Sequence, residues 1–264
     1  MVNIRGIREI RGQVTVFILL AVVLVVAAGI AFLMSNKSND SGFDKEFSTN
    51  PEIQAQFNKI KTGVQDCMKF VCEDAMNVIG IQGGYYKQPK EVYDLGGWFI
   101  PYYYNEGSYL MPQNSEIENQ LGLYVDDHIT SCFDEVNGDN FRISYTTPKT
   151  SVTMNKGEVV FEIDNGVSVS RDDKTVKFDL KASPVKEISK LYEMTEIAKY
   201  ITDSHKEDAN LFCVNCVSDM AEERDVFVDM IDFGEPGTTL VVISSNSSIT
   251  SYSFEFLNKY PSSE

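Results

Sequence analysis

An apolar stretch at residues 14–34 constrains this chain more than any other feature of its sequence. The stretch reads VTVFILLAVVLVVAAGIAFLM, carries no charged residue, and is interrupted only by Thr15 and Gly29. A helix rises about 1.5 Å per residue, so this stretch would span about 30 Å as a helix, the thickness of a bilayer's hydrocarbon core. Buried helices of soluble domains usually keep a polar face, which this stretch lacks. The sequence therefore predicts a transmembrane helix at 13–34 that contacts the lipid bilayer through residues 14–34.

The charges on either side of this helix predict its orientation. Residues 1–12 contain Arg5, Arg8 and Arg11 against a single acid, Glu9, whereas the whole chain has a net charge of −16. Positively charged flanks stay in the cytoplasm, which sends the acidic remainder across the membrane. Secretory signals that are removed have a shorter apolar core, so we expect this helix to be retained as an anchor. These features predict a single-pass protein of the cell membrane with a basic cytoplasmic leader at 1–12.

The leader ends in Gly12 and is followed by Gln13 and the apolar helix. This arrangement, over residues 5–34, resembles the class III signal peptide of archaeal type IV pilins and related filament subunits. The resemblance implies that a membrane peptidase cuts between Gly12 and Gln13 and that the retained helix packs with other copies or with other pilin-like subunits. Thr15 stands where the family often has serine. Phe17 stands where many members have glutamate.

The composition of residues 35–264 indicates a polar linker followed by a folded domain. Residues 35–50 form a polar linker rich in Ser and Asn, and residues 51–264 contain enough apolar and aromatic residues to bury a core. We predict an extracytoplasmic domain at 51–264, with a possible sub-boundary near 135–140. The acidic balance argues against nucleic acid as a partner, because phosphate backbones are bound by clustered Lys and Arg.

Apolar residues at steps of three and four predict four helices in this domain. The first begins with Asn50 as N-cap and Pro51 at the first helical position, and it runs for about 28 residues to near Gly80. Ser115 and Glu118 form a capping box for a second helix from 116 to about 132, which would complete a helical hairpin. The two other helices are predicted at 185–201 and at about 208–222.

Two regions have the short, β-branched and aromatic runs of strands, separated by turn residues. Asn155-Lys156-Gly157 and Asp164-Asn165-Gly166 are typical of hairpin turns within the first region. The first region predicts an antiparallel meander with strands at 141–146, 151–154, 158–163, 167–170 and 175–180. The second predicts a small C-terminal antiparallel sheet with strands at 226–231, 239–244 and 250–257. Helices and antiparallel sheets together predict an α+β fold.

An aromatic segment at 84–109 lies between the first two predicted helices. It contains the only tryptophan, Trp98, and the run Tyr102, Tyr103 and Tyr104. One interpretation is a loop or short hairpin whose rings pack onto the helices. The alternative is a glycan- or peptide-binding surface, because flat amphipathic rings provide contact area at low entropic cost. These four residues are the candidate ligand-binding side chains.

The five cysteines are candidates for disulfides, which an extracytoplasmic location permits. Cys67 and Cys72 lie five residues apart on one helix, which places their Cα atoms roughly 8 to 9 Å apart, beyond the reach of a disulfide. Cys132 is the natural partner for one of them. Cys213 and Cys216 have the C-x-x-C spacing that can close on itself. Reduced buried thiols, a metal site or a redox site remain alternatives.

The sequence offers little else for catalysis. It contains neither the Gly-x-Ser-x-Gly motif of hydrolases nor a phosphate-binding loop. The two histidines, His128 and His205, lack the spacing of a metal site, and no cofactor is predicted. We therefore expect a non-catalytic structural or adhesive role at the cell surface. The alternatives are a membrane-tethered glycan- or peptide-binding module and a thiol–disulfide enzyme at Cys213 and Cys216.

Overall fold

The computed structural model describes residues 51–135, 141–172, 174–207, 213–245 and 252–261. Among these residues no helix is both long enough and apolar enough to span a membrane. The predicted leader, its cleavage site at Gly12 and Gln13, the predicted transmembrane helix and the polar linker all lie outside the described residues.

The described residues form a mixed α+β fold, which confirms the predicted class. The helices are α1 (Pro51–Ile81), α2 (Asn114–His128), α3 (Ser131–Glu135), α4 (Leu191–Glu207) and α5 (Val214–Arg224), with a short 3-10 helix at Leu180–Ala182. The first nine strands are β1 (Val92–Asp94), β2 (Phe99–Asn105), β3 (Ser108–Tyr109), β4 (Arg142–Tyr145), β5 (Lys149–Asn155), β6 (Glu158–Asp164), β7 (Gly166–Arg171), β8 (Lys174–Asp179) and β9 (Val185–Ile188). Three strands follow at the C-terminal end: β10 (Val226–Asp232), β11 (Thr238–Ser245) and β12 (Ser253–Lys259).

Helix α1 has nearly the predicted bounds and packs its apolar stripe against β12 and α2. Val64 and Ile79 on this stripe are fully buried. The helix ends where Gly83 adopts a left-handed φ of +52° and the Gly84 N–H donates to the Ile79 carbonyl oxygen over 2.8 Å. Glycine is required at 83 for a second reason, since a Cβ there would lie 2.5 Å from the Glu255 carbonyl oxygen.

The predicted capping box at Ser115 and Glu118 is wrong. Helix α2 begins two residues earlier, after Gln113, whose side chain makes no capping hydrogen bond. Glu118 instead accepts a hydrogen bond from the Met154 N–H on β5 over 2.8 Å. The carboxylate therefore joins the helix to a sheet, an interaction with a distant strand that local spacing does not reveal. The predicted single helix also divides at His128, and α3 follows it.

The aromatic segment and the C-terminal strands form one sheet of six strands. Its order is β1-β2-β12-β11-β10, with β3 on β2, and β2 runs parallel to β12 while the other pairs are antiparallel. The predicted small C-terminal antiparallel sheet is therefore larger and mixed. The reason is that β2 is apolar on both faces, with Phe99 and Ile100 both buried, and a strand of that kind belongs in a sheet interior.

The chain between 142 and 171 forms one long bent hairpin rather than part of a simple meander. Strand β5 pairs with β6 and β4 pairs with β7, so the predicted turn at 155–157 is confirmed. Strands β6 and β7 do not pair with each other, and the meander is wrong at this point. Instead β8 adds to β7 and β9 adds to β6, which gives two sheets of three strands each.

The predicted turn at 164–166 is a bend between these two sheets. Asn165 is fully buried, and its side-chain amide donates to the carbonyl oxygen of Thr146 on the opposite arm of the hairpin. The Gly166 N–H donates to the Thr146 hydroxyl over 2.9 Å, and the Leu180 N–H donates to the Asn165 carbonyl oxygen over 3.0 Å. The side chain of Asn165, a residue typical of turns, thus bonds across the hairpin to Thr146, and the chain continues from β6 into β7 instead of reversing.

The predicted helix at 185–201 is wrong over its first residues. Residues 185–188 form strand β9, which pairs antiparallel with β6. Within it Glu187 is buried while Ile188 is 80% exposed, an alternation of period two. Helix α4 starts only after Ser189, whose hydroxyl accepts a hydrogen bond from the Leu191 N–H over 3.0 Å. A partner strand therefore overrides the helical periodicity after Pro184.

Two disulfides are present among the described residues. Cys67 on α1 is bonded to Cys132 on α3, with their Cα atoms 5.6 Å apart, so the predicted link from helix α1 to Cys132 is confirmed. Cys213 and Cys216 are bonded to each other, with Cα atoms 5.2 Å apart. Cys72 is a buried free thiol.

Candidate functional site: an aromatic groove at Trp98

An open groove lies where the end of α1, helix α2 and the β1–β2 turn meet. Its volume is about 620 Å³. Six of the residues that line it carry the chemistry discussed below, and we refer to the site as the Trp98 groove. They are Gln82, Tyr86, Lys87, Asp94, Trp98 and Tyr124.

The β1–β2 turn projects Trp98 from the sheet. The Leu95 N–H donates to the Trp98 carbonyl oxygen over 2.8 Å, and the Gly96 N–H donates to the Asp94 carboxylate over 2.8 Å. Gly96 and Gly97 have φ angles of +73° and +130°, which glycine adopts without strain. No other atom lies within 4 Å of the position that a Cβ would take at either glycine. The turn is therefore open to solvent, and the Trp98 side chain is 51% exposed.

The opposite wall is the segment that follows α1, and Gln120 on α2 fixes its backbone. The Gln120 side-chain oxygen accepts hydrogen bonds from the N–H groups of Tyr86 and Lys87 over 3.0 and 2.8 Å. Its amide nitrogen donates to the Glu116 carboxylate over 2.7 Å. Gln120 is itself buried. This wall is therefore held by a buried polar network that orients Tyr86 and Lys87.

Asp127 on α2 joins the two side chains of this wall. Its carboxylate accepts from the Lys87 ammonium over 2.8 Å and from the Tyr86 hydroxyl over 3.0 Å. The Lys87 ammonium also lies 3.9 Å from the centroid of the Tyr86 ring. The hydrogen bonds from Lys87 and Tyr86 lower the pKa of Asp127. Burial raises the pKa of Tyr86, and its hydrogen bond to Asp127 adds to the effect. At neutral pH the wall therefore carries an ionised pair beside a neutral phenol.

Rings packed behind Tyr86 make the wall rigid. Tyr86 contacts Tyr124 edge to face, with centroids 5.1 Å apart, and Tyr124 stacks on His128 at 4.1 Å. The Tyr124 hydroxyl donates to Asp74 on α1. Burial, followed by this hydrogen bond, raises the pKa of Tyr124 well above its usual range. The Tyr86 and Tyr124 rings on this wall are thus held by contacts with each other, with His128 and with Asp74.

Of the four predicted ligand-binding side chains, only Trp98 lines this groove. Tyr103 is fully buried, stacks on Phe256 at 4.4 Å and donates its hydroxyl to the Gly83 carbonyl oxygen over 2.9 Å. Tyr104 is 7% exposed, and Tyr102 is half-buried on the same strand. The interpretation of Tyr102, Tyr103 and Tyr104 as a surface cluster with Trp98 is therefore corrected. Successive residues of a strand point to opposite faces, and both faces of β2 are largely covered.

Sequence reasoning missed most of the residues that accompany Trp98. Tyr86 and Lys87 lie within the aromatic segment, but nothing in the sequence distinguishes them from the other residues of that segment. Asp127 and His128 lie in an Asp-Asp-His run on α2, a composition that is typical of a solvated helix face. Their functional neighbours come from α1 and from the segment before β1, so only the packing of α2 against α1 brings them together.

The Cys213–Cys216 disulfide lies at the start of α5. Cys213 is the N-cap residue, and its sulfur accepts a hydrogen bond from the Cys216 N–H over 3.2 Å. Among the described residues no group of three or more His, Cys, Asp or Glu side chains could hold a metal ion. Cys72 is enclosed, and burial raises the pKa of its thiol far above the usual range. Burial of this kind is typical of an inert structural thiol.

Comparison with known proteins gives no further guide to the site. No family model matches the chain, no curated protein matches it, and no solved structure matches it. The function is therefore inferred from the groove and from the features of the sequence.

Proposed function

We propose that this chain is a single-pass membrane protein whose extracytoplasmic domain has a non-catalytic, adhesive role at the cell surface and binds a glycan in the Trp98 groove. The observation that carries the proposal is the half-exposed indole of Trp98, which stands over an open groove opposite the fixed wall of Tyr86 and Lys87. Binding sites combine aromatic contact surface with a few oriented polar groups.

The chemistry of the groove favours a glycan as its ligand. Sugar rings present C–H faces that pack on a flat aromatic ring, and their hydroxyl groups need donors and acceptors around that ring. The groove supplies the Trp98 indole together with the amides of Gln82 and Gln88 and the charged side chain of Lys87. Lys87 and Asp127 already form an ion pair. Their side chains can therefore hydrogen-bond the hydroxyl groups of a sugar without leaving either charge unpaired.

The location outside the cytoplasm rests on two independent features. The first is the resemblance of residues 5–34 to the class III signal peptide of pilin-like proteins, which implies cleavage between Gly12 and Gln13 and a helix retained in the membrane. The second is the pair of disulfides, since such bonds persist in oxidising compartments and are rare in the cytosol. Within this proposal, the membrane helix also packs with other copies or with other pilin-like subunits.

A glycan array probed with the full chain in detergent tests the proposed ligand class. We expect binding to one group of related glycans, and Trp98→Ala should reduce the affinity for these at least about tenfold, or about 1.4 kcal/mol. Tyr145→Ala is the matched control, because Tyr145 is 41% exposed on β4 and lies outside the residues that line the groove. This control should bind as the wild type does.

Several outcomes would contradict the proposal. Absence of binding to any glycan on the array would remove the glycan as ligand, and equal affinity of Trp98→Ala and wild type would remove the groove as the site. A peptide array that gives binding sensitive to Trp98→Ala, with no glycan bound, would assign the groove to an extended peptide instead.

A further inference from the structure

Strand β10 lies at one end of the six-stranded sheet and has one unpaired edge among the described strands. It pairs only with β11, from Val226↔Ser245 to Asp232↔Thr239. Helix α5 lies beside it, and an apolar groove of about 630 Å³ runs between the two, which we call the α5–β10 groove. Its apolar lining includes Val214, Val217, Ala221, Val226, Val228 and Met230.

Apolar side chains are exposed on both faces of this edge. The register places Val228 and Met230 on the face that carries the buried Ile243 and Val241. Phe227 and Ile231 alternate with them along the strand and are 55% and 51% exposed, and Phe227 also borders the α5–β10 groove. Proteins usually protect an edge strand with charges, proline or a bulge, because an open edge can pair with another strand. Here three apolar side chains, those of Phe227, Met230 and Ile231, are exposed along the open edge.

The rim of the same surface is strongly acidic. Between Cys213 and Asp232 there are six acidic residues and a single basic one, Arg224. The Arg224 guanidinium is engaged by the Met220 carbonyl oxygen and the Glu223 carboxylate, each at 3.2 Å. Asp229 lies in the middle of β10 on the face of Phe227 and Ile231. A strand placed along this edge therefore meets a negative charge at its centre and at its ends.

We propose that the β10 edge and the α5–β10 groove bind an extended segment of a partner protein, one that alternates apolar residues and carries Lys or Arg opposite Asp229. The segment would extend the sheet by one strand, so that main-chain hydrogen bonds supply affinity and the groove selects alternate side chains. The charge disfavours a second copy as the occupant, because symmetric pairing of two β10 edges would bring their acidic rims together.

Labelled peptides and the full chain in detergent test this proposal by fluorescence anisotropy. The first peptide is blocked at both ends, alternates valine and threonine, and carries lysine at its centre and ends. The second has glutamate in place of each lysine, and the third is the lysine peptide with N-methyl groups on alternate backbone amides. We expect the lysine peptide to bind at least about tenfold more tightly than either of the others.

Two substitutions locate the binding. Asp229→Lys should reduce the preference for the lysine peptide over the glutamate peptide at least about threefold, because it replaces the attraction at the centre of the strand by repulsion. Met230→Lys should weaken the lysine peptide at least about tenfold, since it places a charge in the groove. Ile188→Lys is the matched control, because Ile188 is an exposed apolar residue on the edge strand β9 of a different sheet. This control should bind the peptides as the wild type does.

The proposal is overturned if none of the peptides binds, if binding ignores peptide charge, or if Asp229→Lys leaves the preference unchanged. A dimer in sedimentation analysis that Met230→Lys abolishes would also overturn it, since a second copy would then occupy the edge. The proposed glycan binding in the Trp98 groove is independent of these outcomes, because no lining residue of one groove lines the other.

Discussion

At the scale of single residues, Glu187 illustrates a cost that the fold imposes on one side chain. It lies on strand β9 and is 8% exposed, and one of its carboxylate oxygens is buried without a hydrogen-bond partner among the described residues. Burial raises its pKa above the ordinary value of 4.5, the nearby Glu73 carboxylate raises it further, and Lys69 lowers it. The charged form of Glu187 is therefore unfavourable in the folded protein.

The raised pKa of Glu187 predicts that removing its charge increases the stability of the fold in a pH-dependent way. A carboxyl group whose folded-state pKa is raised keeps its proton longer in the folded state, so stability falls as the pH rises from 4.5 through the folded-state pKa. Glu187→Gln should therefore raise the melting temperature at about pH 7, and this gain should fade by about pH 4. Thermal unfolding of the full chain in detergent, followed by circular dichroism, measures both values.

Glu162→Gln provides the control for a change of charge on the same sheet, because Glu162 is exposed on β6. Its effect should not share the pH dependence of Glu187→Gln. A melting temperature of Glu187→Gln that is unchanged or lowered at neutral pH would contradict the argument, since burial of the charge would then carry no cost.

At the scale of elements, the Cys67–Cys132 disulfide fixes α3 to the middle of α1. The two cysteines are 65 residues apart, and the loop between them contains β1, β2, β3 and helix α2. It therefore closes around every element that contributes to the Trp98 groove. A cross-link of this length restricts the unfolded chain far more than the short Cys213–Cys216 loop does.

The difference in loop length predicts unequal losses of stability. Replacing Cys67 and Cys132 together by alanine should lower the free energy of unfolding by about 2 to 5 kcal/mol, whereas the same replacement of Cys213 and Cys216 should cost about 2 kcal/mol or less. Urea denaturation of the full chain in detergent, followed by circular dichroism, measures both. Equal losses for the two pairs would show that the loop closed by Cys67 and Cys132 is not what stabilises the fold.

At the scale of the whole molecule, the six-stranded sheet joins distant parts of the chain. Strand β2 from the aromatic segment pairs in parallel with β12 near the C-terminal end, with Tyr102 opposite Leu257. Helix α1 packs across β12, and Tyr103 stacks on Phe256 within the same core. Strand β2 of the aromatic segment is therefore interior to the domain, whereas residues on either side of it, Trp98 among them, reach the surface.

The membrane anchor proposed for residues 13–34 gives a prediction for the whole chain. If the resemblance of the leader to class III signal peptides reflects processing, the protein extracted from its native membrane should begin at Gln13 and lack the first 12 residues. Intact mass spectrometry measures this directly, and Gly12→Val, which alters the residue before the cut, is expected to leave the leader in place. A full-length mass for the wild type would leave an ordinary membrane anchor and remove the pilin-like assembly from the proposal.

Local pattern in the sequence determined several features that the structure retains. The apolar stripe that includes Phe57, Val64 and Val71 predicted α1, because a helix buries residues at steps of three and four whatever its partner is, and these three are buried. Local patterns also predicted the turn at 155–157 and the α+β class. Helix geometry predicted that Cys132 bonds to a cysteine of α1. The ligand-binding role of Trp98 stays a prediction, and the structure adds that its ring is half exposed beside a groove.

Only the tertiary structure decided which segments pair and which rings are buried. Residues 164–166 have the composition of a hairpin turn, yet Asn165 bends the chain between two sheets because its amide bonds to Thr146. Tyr103 and Trp98 are similar as aromatic residues, but a parallel partner strand buries the first and leaves the second exposed. Hydrogen bonds and ring contacts between residues far apart in the chain carry free energies that exceed local preferences, and they have no signature in a short window of sequence.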